Sequence, residues 1–157
     1  MERVNQILEN KNYRNYLKRL EDLEQEREFC KHTIEHFLDV ARIAYIKVLE
    51  DNLNYSKEVI YAIALLHDIG KILEYEEGIP HHRGSVEISK EILKEIDFTE
   101  EEKASILTAI EEHREGSEKE LSKLIYISDK LSRNCFNCRA EKKCYWSEDK
   151  KNFNIRY

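Results

Sequence analysis

Six histidines and a few aspartates carry the chemistry open to this chain, and the apolar company some of them keep sets those apart. His67 and Asp68 close the stretch VIYAIALLHDIG, which is hydrophobic nearly all round, and Asp129 sits in the apolar run LIYISDKL. Burying an imidazole or a carboxylate there is costly unless a partner or a cation compensates it. His32 and His36 lie four apart on a predicted helix, hence on one face. A divalent metal is a natural compensator: imidazole and carboxylate suit zinc, iron or manganese. Two His and two Asp also leave positions open for water on a metal that takes more than four ligands. The competing reading of Asp129 is a buried ion pair with Lys130 or Arg133.

A second cluster is made of thiols. Cys135, Cys138 and Cys144 have the spacing C-x2-C-x5-C, and the fourth cysteine is Cys30. A two-residue gap lets both thiolates reach one ion from a turn, so a structural zinc on all four is one reading, and buried free thiols or a redox pair are the others. Cys30 precedes His36 by the same interval at which Cys135 follows Asp129. If those helices run antiparallel around one metal, both cysteines are displaced about 9 Å in one direction at ~1.5 Å per residue, and they meet if a loop or helix end reorients them. His32 could substitute for Cys30.

Positioning these groups falls to helices. Residues 2 to 24 read as one amphipathic helix with Val4, Ile7, Leu8, Leu17, Leu20 and Leu23 inward, and 27 to 49 as a second. DNLNYS is a turn in which Ser56 caps a third, central helix that Gly70 ends. The polar connection KILEYEEGIPHHRG leads to a fourth helix over residues 85 to 96. Thr99 with Glu102 and Ser117 with Glu120 have capping-box spacing, which starts two more. The expectation is an all-α single domain of about six helices. It divides into an N-terminal packing helix (1–25), a core (26–133) and a Cys-containing C-terminal extension (134–157).

Composition agrees: one Pro and four Gly in 157 residues leave few helix breakers. The net charge of -6, with 37% charged residues, argues against a duplex nucleic-acid partner. No apolar run approaches the ~20 residues of a membrane span, and MERVNQILEN is too charged for a secretory signal, so a cytoplasmic protein with reduced cysteines is expected.

Taken in order, His36 with Val40-Ala41, His67-Asp68 in ALLHDIGK, His81 or His82, His113, and Asp129 in YISDKLSR resemble the HD superfamily of metal-dependent phosphohydrolases over residues 30 to 133. The resemblance implies that His36, His67, Asp68 and Asp129 bind one metal. It also implies that His113 and one of the 81/82 pair bind a second metal or the substrate phosphate. His81 is preferred because Ser85 and the next apolar face follow it at the family's offset. The cofactor implied is a divalent transition metal (Fe, Mn, Zn, Ni or Co), one ion or two, with Asp68 the bridge if there are two. A looser likeness is to small HD hydrolases of dinucleoside polyphosphates. Asp68 and Lys71 are the expected catalytic residues, with Lys71 about a turn past Asp68 and able to set an ammonium against a phosphate oxygen, unless it is simply solvated. Arg83 and Arg114 each follow a candidate His and could steer a phosphate. The leading expectation is hydrolysis of a phosphomonoester or phosphodiester in a nucleotide-like substrate. The alternatives are a catalytically silent phosphate-ligand module and a zinc-knuckle interaction protein; a homodimer stays open.

Overall fold

The computed structural model describes residues 1–114 and 117–157. Among them are eight α-helices, three short 3-10 turns and no strand. The helices are α1 (Glu2–Glu9), α2 (Lys11–Leu23), α3 (Ile34–Glu50), α4 (Lys57–Leu66), α5 (Lys71–Glu77), α6 (His81–Leu93), α7 (Glu100–Glu112) and α8 (Glu120–Leu131). Central α4 is capped by Ser56, which accepts from the Val59 N–H at 3.2 Å, and every residue from Ala62 to Leu66 is buried. It packs against α1, α3 and α7, while α8 lies on α3, α5 on α2, and α6 on α5 and α7. One apolar cluster runs from Val4 and Leu20 through Ile63 and Leu66 to Ile125. Each such buried aliphatic side chain contributes roughly 1.5–3 kcal/mol.

The departures from the expected six helices have local causes. The predicted helix over 2–24 breaks at Asn10, whose side chain accepts from the N–H groups of Asn12 and Tyr13 and so caps α2. The break turns Val4 and Ile7 toward one part of the core and Tyr13 and Leu20 toward another, with the Tyr13 hydroxyl donating to the Leu65 carbonyl, while Leu23 stays exposed. The second helix starts at Ile34 rather than 27, because the buried Glu24 carboxylate takes the His32 N–H at 2.6 Å and holds that segment out of the helix. His32 and His36 are therefore not one helical turn apart.

Gly70 does not end α4, which stops at Leu66. Gly70 instead precedes α5, a helix formed by the expected connection KILEYEE, and its special property is closeness. A Cβ on Gly70 would fall 2.0 Å from the Ser85 nitrogen and 2.3 Å from the His81 carbonyl oxygen. That approach brings the first turn of α6 against the His67-Asp68 turn, and α6 starts at His81, earlier than predicted. Thr99 and Glu102 make their capping box. Ser117 and Glu120 do not: α8 is capped at Lys119, and the Ser117 hydroxyl accepts from the Lys119 N–H while donating to Glu112. Among the described residues, no helix is long and apolar enough to cross a membrane.

Candidate metal centre

Five helices deliver the donors. His36 comes from the first turn of α3, where Thr33 caps the helix, and His67 and Asp68 from the turn that leaves α4. Asp129 lies on the last turn of α8, His81 opens α6 and His113 follows α7. All six are buried. Donor atoms of His36, His67, Asp68 and Asp129 lie within 4.8 Å of one another, as do those of Asp68, His81 and His113, so Asp68 belongs to both sets.

The imidazoles are oriented alike. His67 donates from Nδ1 to the Ala64 carbonyl at 2.7 Å and His113 to the Ile110 carbonyl at 2.5 Å; a carbonyl can only accept, so the proton is on Nδ1. The His36 Nδ1 meets the Ser132 hydroxyl, whose own proton goes to the Asp129 carbonyl, and the His81 Nδ1 faces Glu74 at 3.3 Å. Every Nε2 is left with its lone pair turned inward, the arrangement of metal-ligating histidines. Toward those lone pairs point carboxylates, with His67 Nε2 to Asp68 at 3.2 Å, His36 Nε2 to Asp129 at 3.3 Å, and His81 and His113 each 3.5 Å from Asp68. A lone pair facing a carboxylate repels it unless a proton or a metal ion lies between.

Among the atoms of these six donor residues, His67 Nε2, Asp68 Oδ1 and Asp129 Oδ1 are buried with no hydrogen-bond partner. Burial opposes charge on His67, but Asp68 and Asp129 outweigh it and raise the imidazole to about 10. Burial lowers His36 and His81 to about 4. Both aspartates stay well below the usual carboxylate range despite burial, Asp68 chiefly through His67 and His32, and Asp129 through His36 and His67. The negative well that draws a proton to His67 equally fits a divalent cation.

The ion-pair alternative for Asp129 is also present, chiefly with Lys130 on its other oxygen. Oδ2 meets Lys130 at 2.5 Å, Arg133 stands 3.8 Å from Oδ1, and Arg133 also donates to His36 Nε2 at 2.8 Å. Lys71 reaches the rim of the site, where its ammonium pairs with Glu74. Arg114 lines the cavity, whereas exposed Arg83 is not among its lining residues; His81, rather than its neighbour His82, joins Asp68.

His32 carries no assignment from its sequence position alone, and the structure puts it beside the site. It is buried, its Nδ1 is 2.6 Å from Glu24, and its Nε2 is 3.5 Å from Asp68 Oδ2. Glu24 also accepts from the Tyr75 hydroxyl at 2.6 Å, and these hydrogen bonds overcome burial to hold its carboxyl at about 2. A glutamate near the end of an amphipathic helix gives no sequence signal of such a role.

Above the donors opens a cavity of about 390 Å³. Arg27, Lys71, Arg114, Lys130, Arg133 and Lys150 line it against only Asp68 and Asp129, a local reversal of the chain's negative charge, and Tyr126, Tyr145 and Trp146 supply aromatic faces. Cys30 and Cys135 both fall outside the helices, Cys30 before α3 and Cys135 after α8, so loops set their directions.

A Clostridium beijerinckii protein described as uncharacterized is 49% identical over 157 residues, covering 100% of both chains. No solved structure matches. The family model for the HD domain matches residues 33–134, the span that carries all six buried donors, and this chain belongs to the HD domain family of metal-dependent phosphohydrolases.

Proposed function

We propose that the protein hydrolyses a phosphomonoester or phosphodiester bond of a nucleotide-like substrate. The observation that carries this reading is the convergence of three partnerless buried atoms, His67 Nε2, Asp68 Oδ1 and Asp129 Oδ1, beneath a cavity rimmed by cations. His36, His67, Asp68 and Asp129 would hold one divalent transition metal, with iron, manganese, zinc, nickel and cobalt all compatible with the donor set. His81 and His113, with Asp68 shared, would hold a second ion or the substrate phosphate. When bound, the metal supplies a hydroxide equivalent near neutral pH and positive charge against the phosphoryl oxygens.

The chain's own residues do the rest. Asp68 and Asp129 remain ionised, as ligation requires, and the carbonyls of Ala64 and Ile110 fix the ring orientation of His67 and His113. Ligation through His36 requires Arg133 to release Nε2, which frees a guanidinium on the cavity wall for a phosphate. Lys71 can exchange Glu74 for a phosphoryl oxygen as charge builds there. Tyr126 and Trp146 offer flat faces to a base, with the Lys130 ammonium between them at 5.2 and 4.7 Å from the ring centres.

The test is metal analysis of the purified protein, followed by assays of nitrophenyl phosphoesters and of nucleoside mono-, di- and cyclic phosphates with added manganese. Asp68→Ala should lose both the transition metal and turnover. Unchanged metal and turnover in that variant would remove the assignment, and ligand binding with no product from any substrate would make the protein a silent binding module.

A further inference from the structure

We propose that Cys30, Cys135, Cys138 and Cys144 jointly hold a structural zinc ion that fixes the C-terminal segment as one wall of the substrate cavity. All four thiols line a single void of about 20 Å³ beside Phe29 and Trp146. A space of that size takes about one small atom. Local backbone geometry presents the sulfurs. Cys135 opens a 3-10 turn that Cys138 closes, with the Cys138 N–H donating to the Cys135 carbonyl, and Cys144 closes the next turn through the Glu141 carbonyl. Cys30 arrives from the loop before α3, so a shared ion ties the tail to the N-terminal side of the metal centre. Among the described residues, the donor sets that lie within 4.8 Å are the two His/Asp groups; the sulfurs ring their void more widely, and ligation draws them inward.

The tail needs such a tie. In residues 134–157 the only buried apolar side chains are Cys135 and Ala140, neither in the main core cluster, while Phe136, Tyr145, Phe153, Ile155 and Tyr157 are exposed. Apolar burial does not hold a segment of that kind, and a zinc site with four thiolates does. The other contacts to the body are modest, such as the exposed Lys143–Glu28 pair and the edge contact of Phe29 with Tyr145. Each thiol gives up its proton on ligation, so loading the site releases about four protons to buffer. Phe29, Cys30, Cys144 and Trp146 line both this void and the large cavity, so the wall presenting Trp146 and Lys150 depends on the tie. That last consequence rests on the proposed hydrolase reading; the zinc site does not.

The experiment reads zinc and thiols in the full chain purified under reducing conditions without chelator. About one zinc per chain should survive in Asp68→Ala, which empties the His/Asp centre, and should be lost in the Cys138→Ser/Cys144→Ser double variant. Because that variant could misfold, the unaltered chain gives an independent reading. After chelator stripping, its thiols should react with Ellman's reagent at least about tenfold faster than after zinc is restored. Cobalt in place of zinc should give thiolate charge-transfer absorption, unchanged by Asp68→Ala. Absence of zinc with thiols equally reactive with and without added metal would overturn the proposal, as would recovery of the cysteines as disulfides. Inactive protein that keeps its thiol-bound zinc would count against the hydrolase reading alone.

Discussion

The His/Asp centre and the cysteine-lined void share a wall, yet they are built by different physics. Around His67 and Asp68 the backbone is helical, the flanking residues are buried aliphatics, and the Gly70–Ser85 approach leaves no room for even a methyl group. Around the cysteines the chain runs in short 3-10 turns with exposed aromatics and almost no apolar burial. In the first region the fold is paid for by the core, and the donors are positioned whether or not an ion arrives. In the second the donors themselves are the strongest candidates for what holds the fold. The difference teaches that a ligand cluster in a rigid core points to chemistry, whereas one in a coreless segment points to structure.

The sharpest way to break this contrast is to remove a donor from the core. Asp129→Ala deletes a carboxylate that faces His36 and leaves Lys130 and Arg133 without their partner. Turnover of whichever phosphoester the protein accepts should fall by at least about a thousandfold, while zinc on the cysteines is retained. Equal loss of both metals would show one cooperative unit and dissolve the distinction. Next in size is Gly70→Ala, whose new Cβ meets backbone atoms of Ser85 and His81 that cannot yield. A loss of about 3 kcal/mol or more in urea unfolding is expected. Phe136→Ala in the tail, where the ring is already 46% exposed, should change stability by less than about 0.5 kcal/mol. Similar effects from the two would mean that the tail has a packed core after all.

The same contrast explains what could be read from the sequence. His67, Asp68 and Asp129 were legible because polar groups in apolar runs carry a cost that something must offset, and the family order of the remaining histidines then placed His36, His81 and His113. The all-helical class was legible from composition and period. Less legible was anything decided by one side chain capturing backbone: Asn10 splitting the first helix, Glu24 delaying the start of α3, Ser117 serving Lys119 rather than a capping box. Helix α5 was hidden because its polar surface outnumbers its inward residues, of which Ile72 alone is fully buried. Gly70 reads locally as a helix end, because close packing against α6 is invisible to a local reading.

Glu24 allows a smaller test on the core side. Its folded-state carboxyl is held at about 2, below the ordinary 4.5, by His32 and Tyr75 against the opposing effect of burial. A depressed carboxyl contributes stability that is present above pH 4.5 and is lost as pH falls through about 2. Glu24→Gln should therefore cost on the order of 1–3 kcal/mol at neutral pH. The gap in urea midpoint between wild type and variant should close as the pH is lowered from 4.5 toward 2. A gap that stays constant over that range would mean that the Glu24–His32 contact is not charge-assisted.

The smallest expected effect compares the two walls of the cavity directly. Arg114, just beyond α7, stands on the helical side, and Lys150 belongs to the last 3-10 turn of the tail; both are exposed and both line the cavity. Among the described residues, neither forms a hydrogen bond or ion pair with the buried donors, so on the proposed hydrolase reading each would act on the substrate through long-range charge, which salt screens over about 8–10 Å. Arg114→Ala and Lys150→Ala should each raise KM a few-fold with kcat unchanged, and the difference from wild type should shrink as ionic strength rises. If the tail wall depends on the cysteine tie, chelator treatment that strips the thiol-bound zinc should abolish the Lys150 effect. Once the catalytic metal has been restored, the Arg114 effect should remain. Loss of both effects together would place the two walls in one structural unit.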